Sequence, residues 1–123
     1  MVYVQPVPPT GSVHQVIAPA GDQPHEPLWS RDGKELFYRR PTPAGEELVA
    51  VTLQLRAQPR VTHRIKLFDV SGFDTATPHA NYDIAPDGRS FVFVRPSGGT
   101  HIVVLQNVPE IARRLSRGGD VVR

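Results

Sequence analysis

Leu28-Trp29-Ser30-Arg31-Asp32-Gly33-Lys34-Glu35-Leu36-Phe37-Tyr38-Arg39 decides how this sequence folds, because its pattern occurs twice. The second copy is Asp83-Ile84-Ala85-Pro86-Asp87-Gly88-Arg89-Ser90-Phe91-Val92-Phe93-Val94. Each has a large apolar residue, two further residues, Asp-Gly, a basic residue and an apolar run. Asp-Gly between apolar runs is a strong hairpin signal, because both central positions of a two-residue turn favour positive φ. Each copy is therefore predicted to be a short strand, a tight turn and a more buried second strand.

A further strand is expected after each hairpin. After the first, the loop Pro41-Thr42-Pro43-Ala44-Gly45 leads into Glu47-Leu48-Val49-Ala50-Val51-Thr52-Leu53. After the second, Pro96-Ser97-Gly98-Gly99 leads into His101-Ile102-Val103-Val104-Leu105. Both loops carry the residues that reverse a chain. The first unit adds Val61-Thr62-His63-Arg64-Ile65-Lys66-Leu67-Phe68, whose period of two marks an edge strand with Val61, Ile65 and Leu67 on one face and Thr62, Arg64 and Lys66 on a wet one.

Asp32 and Asp87 stand 87 − 32 = 55 positions apart. Repeats near this length with four strands each read as propeller blades, for which roughly 40–50 residues is usual. Val2-Tyr3-Val4-Gln5 and Ser12-Val13-His14-Gln15-Val16-Ile17 fill the third and fourth slots of an earlier blade. The expected fold is all-β: four-stranded antiparallel propeller blades, about two and a half of them in an incomplete ring. The divisions are 1–20 for the end of one blade, 21–70 for a full blade and 78–107 for the last. A short C-terminal helix is expected over 108–117. Asn107 and Glu110 form a capping box, Pro109 sits in the first turn, Val108, Ile111 and Leu115 share a face, and Gly118 stops it.

Composition narrows the function. The chain has 123 residues, 39% hydrophobic and 21% charged, as a globular protein has. Its 13 prolines and 10 glycines fall mainly between apolar runs, as in an all-β protein with many turns. Without cysteine there is neither a disulfide nor a thiolate zinc site. No apolar run approaches the roughly 20 residues of a membrane helix. The net charge of +2 is spread over basic residues interleaved with acids, which reads as solvated surface, so nucleic acid is not expected as a partner.

The stretch Pro27-Leu28-Trp29-Ser30-Arg31-Asp32-Gly33-Lys34-Glu35-Leu36-Phe37-Tyr38 resembles the repeat of bacterial TolB-like β-propellers, close to P-x-W-S-P-D-G-K-x-I-x-F. Tyr82-Asp83-Ile84-Ala85-Pro86-Asp87-Gly88-Arg89-Ser90-Phe91 resembles it as well. The run Ile102-Val103-Val104-Leu105-Gln106-Asn107 with an Arg-containing helix after it is similar to the end of propellers fused to bacterial serine/threonine protein kinases. Arg31 departs from the family's proline, which is expected only to loosen the turn. The resemblance implies a protein-interaction or sensing module, periplasmic or extracytoplasmic, whose partner is protein: further blades of the same propeller or another protein.

No residue is assigned a catalytic, cofactor-binding or metal-binding role, and no cofactor is expected. Asp32 and Asp87 could pair as catalytic carboxylates, but each precedes a turn glycine, where Asp serves a local hydrogen bond. Trp29 could stack on a ligand. Ile84 in the same slot favours core packing instead. His14, His25, His63, His79 and His101 show no metal-binding spacing, and His79 with Asp83 falls in a loop. G-x-S-x-G is absent, because Ser71-Gly72 and Ser97-Gly98 lack its first glycine, and so are G-x-G-x-x-G, H-R-D and D-F-G. A non-catalytic segment of a larger bacterial protein is the leading expectation. The alternatives are an accessory propeller of a kinase or a prolyl-oligopeptidase-like hydrolase whose catalytic domain lies elsewhere, and a free-standing β domain.

Overall fold

A computed structural model describes residues 1–17, 22–56, 58–75, 80–95 and 101–106. They form nine strands and, among the described residues, no helix. In chain order the strands are β1 (Val2–Val4), β2 (His14–Ile17), β3 (His25–Trp29), β4 (Glu35–Thr42), β5 (Gly45–Gln54), β6 (Arg60–Asp69), β7 (Tyr82–Ile84), β8 (Ser90–Arg95) and β9 (His101–Gln106). They pair antiparallel into an N-terminal sheet β1-β2, a central sheet β3-β4-β5-β6 and a C-terminal sheet β7-β8-β9. The helix expected over 108–117 lies outside the described residues.

The alternation of β4 explains how the sheets are layered. Leu36 and Tyr38 join Val49, Val51 and Leu53 on one face, where Val2, Val4 and Val16 of the N-terminal sheet and Val61 pack on them. Phe37, Leu48 and Ala50 lie on the other face, against Tyr82, Ile84, Phe91 and Phe93 of the C-terminal sheet. The central sheet is thus covered on both sides, and its second and third strands read as continuous apolar runs for that reason.

The repeat is kept in three dimensions. Trp29 pairs with Leu36 as Ile84 pairs with Phe91, and Phe37 pairs with Ala50 as Val92 pairs with Val104. Leu36 and Tyr38 face the preceding sheet, and so do their equivalents Phe91 and Phe93.

Both Asp-Gly hairpins are present, with a different turn from the one expected. The Gly33 N–H donates to the Ser30 carbonyl and the Gly88 N–H to that of Ala85, at 3.0 and 2.9 Å. Arg31-Asp32 and Pro86-Asp87 are therefore the central pairs, and only the glycines have positive φ, +69° and +68°. Glycine at the fourth turn position suits a type I geometry. Each Asp carboxylate accepts the backbone N–H two residues on, that of Lys34 at 3.1 Å and that of Arg89 at 2.8 Å. That is the local bond expected of them.

Two side-chain expectations are corrected. The strand β6 does not keep one apolar face: Val61 packs toward the N-terminal sheet, while Ile65 and Leu67 pack toward the C-terminal sheet. Register shifts at Leu48/Val49 and Thr52/Leu53 cause this, since each extra residue turns the following side chains over. Trp29 is 39% exposed rather than core, whereas Ile84 is 3% exposed. Trp29 shares a face with Leu36, and the two-stranded sheet on that face lies with β2 beside β6, away from β3. Ile84 meets the full four-stranded sheet.

Candidate functional site

Charged residues gather at one end of the β4–β5 hairpin, where Arg40 on β4 pairs with Glu47 on β5 and the neighbouring Arg39 lies diagonal to Glu46. Neighbouring strand residues point to opposite faces. The two arginines therefore build two separate clusters.

Arg39 shares the face of Phe37 and is fully buried. Its guanidinium donates to Glu26 Oε2 at 3.3 Å, the Asp74 carbonyl at 2.6 Å, Glu46 Oε2 at 2.5 Å and the Phe73 carbonyl at 3.3 Å. Only its Nε lacks a partner. His25 Nε2 lies 3.0 Å from the other oxygen of Glu46. Glu26 adopts φ of 50°, a conformation uncommon outside glycine, and bridges to the C-terminal sheet. Its Oε1 accepts from Asn81 Nδ2 at 2.8 Å and its carbonyl from the Tyr82 hydroxyl at 2.6 Å. Burial, then the charge of Glu26, pushes the Tyr82 hydroxyl up against the opposing pull of Arg39, so it stays a protonated donor. This cluster ties β3, β5, the connector after β6 and β7 to one cation.

Arg40 shares the other face with Asp22, Glu47, Arg64 and Lys66. It reaches Asp22 Oδ1 at 2.8 Å and donates from Nε to Glu47 Oε1 at 2.6 Å. Arg64 meets Asp22 Oδ2 at 3.1 Å, and Lys66 meets Glu47 Oε2 at 2.9 Å. The Tyr38 hydroxyl donates to Asp22 Oδ2 at 3.2 Å, with the Arg64 guanidinium 5.9 Å from its ring centroid. Burial raises the Tyr38 hydroxyl to about 12, with Arg64 opposing and Asp22 assisting. Glu47 is lowered: burial alone would raise it, but the bonds and charges of Lys66 and Arg40 outweigh that.

A third tie lies at the repeat motif. Arg31 Nη2 donates to the Ile84 carbonyl at 2.8 Å, joining the central hairpin turn to β7. The departure from proline thus supplies a bond between sheets, which is more than a loosened turn.

The Arg39 cluster and Arg31 tie the central sheet to the C-terminal sheet, while the Arg40 cluster ties β4, β5 and β6 to the connector before β3, all with charge-assisted hydrogen bonds. Asp32 and Asp87 sit in separate turns and are not brought into one site. His25 enters the Arg39 cluster through Glu46, and the Asp83 carboxylate accepts its neighbour Ile84's N–H at 2.7 Å. His63 Nδ1 lies 3.3 Å from Thr62 Oγ1 on exposed strand surface, and His79 is outside the described residues. Among the described residues no group of three or more His, Asp or Glu could hold a metal ion, and no helix is long and apolar enough to cross a membrane. The reading of the basic residues as solvated surface does not hold for Arg39, which is fully buried, or for Arg40, which pairs with two buried carboxylates. The signal was an Arg doublet and a Glu doublet on either side of one turn, in antiparallel register. No family model, no curated protein and no solved structure matches the chain.

Proposed function

We propose that the chain is a run of blades from a larger TolB-like β-propeller, acting as a non-catalytic interaction or sensing module. One observation carries this reading: three antiparallel sheets stack face to face, and the two that carry the Asp-Gly repeat present its equivalent residues on equivalent faces. Stacked sheets of one repeat are how propellers bury their apolar faces. The buried charges also favour it, because Arg39, paired with Glu26 and Glu46, is committed inside the seam between the central and C-terminal sheets.

The test is the coding region on either side of these residues. Further in-frame repeats of the apolar-x-x-Asp-Gly-basic type, enough for the roughly 4–8 blades of a closed ring, are expected. Flanks with no such repeat would overturn the proposal. A kinase signature set upstream or a G-x-S-x-G downstream would make the module an enzyme's accessory.

A further inference from the structure

The two Asp-Gly turns share one backbone geometry and differ in how their carboxylates are held. In both, the glycine N–H donates to the carbonyl three residues back, Gly33 to Ser30 at 3.0 Å and Gly88 to Ala85 at 2.9 Å, with glycine φ of +69° and +68°. Each carboxylate accepts the N–H two residues on, from Lys34 at 3.1 Å and from Arg89 at 2.8 Å. At Asp32 a second donor joins. The Ser30 hydroxyl donates to Asp32 Oδ1 at 2.7 Å while accepting the Glu35 N–H at 2.9 Å, so it pins the carboxylate to the first residue of β4. Ala85 fills the serine's slot in the second copy, and Asp87 is held without that bond. Both aspartates are exposed.

We propose that Asp87-Gly88 is a site of spontaneous aspartate isomerisation, from which the Ser30 hydroxyl shields the matching Asp32-Gly33. Glycine has no side chain to keep its nitrogen from the preceding carboxyl carbon. The Gly88 nitrogen attacks Asp87 Cγ and an N–Cγ bond forms. One carboxyl oxygen departs as water, with the nitrogen's proton and one proton from solvent. Water then opens the five-membered imide. Breaking the N–Cγ bond restores aspartate, whereas breaking the bond from nitrogen to the main-chain carbonyl carbon of Asp87 leaves glycine joined through the side chain, as isoaspartate. The water and the proton are returned, so the step is an isomerisation and needs no oxidant or reductant. To react, the carboxylate must leave its donors and the glycine N–H its carbonyl, which is a local opening of the turn. One further hydrogen bond at Asp32 makes that opening rarer by about two- to tenfold. Arg31 acts the other way: its Nη2 donates to the Ile84 carbonyl at 2.8 Å, and its Cβ and Cγ would stand 4.0 Å from a Cβ on Gly88. Those contacts brace the strand entering the turn and not the Asp87 carboxylate. Isoaspartate adds a main-chain carbon between β7 and β8, the hairpin that carries Phe91 and Phe93 into the seam, and so loosens that layer in aged copies.

The experiment incubates the full folded chain for weeks at neutral pH, with Ala85→Ser, Ser30→Ala and Ser30→Thr beside it. Digestion with a protease that cuts before aspartate but not before isoaspartate, read by mass spectrometry, gives the rate at each turn. In wild type, isoaspartate is expected at Asp87 about two- to tenfold faster than at Asp32. Ala85→Ser should slow Asp87 toward the Asp32 rate. Ser30→Ala should speed Asp32 by a similar factor, and Ser30→Thr, which keeps the hydroxyl, should leave it near wild type. In urea, where neither turn persists, the two rates should converge. Circular dichroism checks folding, and if the Ser30 variants unfold, wild type and Ala85→Ser still decide. No isoaspartate at Asp87, equal or reversed rates in the folded wild type, or an Asp87 rate unmoved by Ala85→Ser overturns the proposal. So does a difference that survives in urea, because it would come from flanking sequence and not from the hydroxyl. None of these outcomes bears on the propeller reading, which the coding region tests.

Discussion

Phe37 of the central sheet and Phe91 of the C-terminal sheet meet edge to face, with ring centroids 4.8 Å apart and planes at 85°. Both are fully buried, and Phe91 also lies near Phe68, Tyr82 and Phe93. Aromatic pairs prefer this geometry because the positive ring edge meets the negative face. Phe91→Ala is expected to cost about 3–5 kcal/mol of unfolding free energy, by lost transfer energy plus the cavity left behind. Urea denaturation followed by near- and far-UV circular dichroism measures it.

Gly45 begins β5 at φ of +139°, and a Cβ there would lie 2.0 Å from Ser71 Oγ. That hydroxyl is held by the Glu46 N–H at 2.9 Å, so it cannot simply turn away. Gly45→Ala is expected to lower stability by more than about 1 kcal/mol, through steric overlap and strained backbone together. Adding Ser71→Gly should recover part of the loss, and additive effects in thermal melts would contradict the close approach.

Arg39 neutralises Glu26 and Glu46 inside the seam between two sheets. Arg39→Leu leaves those carboxylates facing apolar surroundings, and a loss of about 3–5 kcal/mol is expected on breaking such a buried pair. Combining it with Glu46→Gln should cost less than the sum of the two single changes. A double-mutant cycle by urea denaturation reads that coupling.

Glu47 gives a pH dependence of defined sign. Its carboxyl is lowered in the folded chain, because the bonds to Lys66 and Arg40 outweigh the cost of burial. Its contribution is therefore fully present above the unfolded glutamate value of about 4.3 and is lost as pH falls through the lower folded value. Glu47→Gln should reduce stability at neutral pH and flatten the acid limb between them. Parallel acid limbs for variant and wild type would contradict the pairing.

The layers were legible in the sequence because one motif occurs twice and strand alternation assigns faces. Leu36 and Phe37 differ by one position, and that alone sends them to different sheets. The turn type was not legible, because Asp-Gly fits either a two-residue turn or a type I turn ending on glycine. The difference lies in which carbonyl accepts the Gly33 N–H. The faces of β6 were hidden for a similar reason: Val61 and Leu67 share parity, and only bulges send them to opposite sides. Trp29 was misplaced because burial depends on the neighbouring sheet's width, which local pattern does not carry. The Arg39 and Arg40 clusters depended on hairpin register, which becomes visible once Arg40 is set opposite Glu47.

The central sheet is covered on both faces by its two neighbours. Nuclear Overhauser contacts in the full chain, with Phe, Tyr and Val selectively labelled, test it directly. Phe37 ring protons should show cross-peaks to Phe91, and the Val2 methyls should show them to the cluster of Leu36, Tyr38, Val49 and Val51. Cross-peaks from Phe91 to Val2 or Val4, or none between Phe37 and Phe91 in a folded sample, would contradict the stacked arrangement.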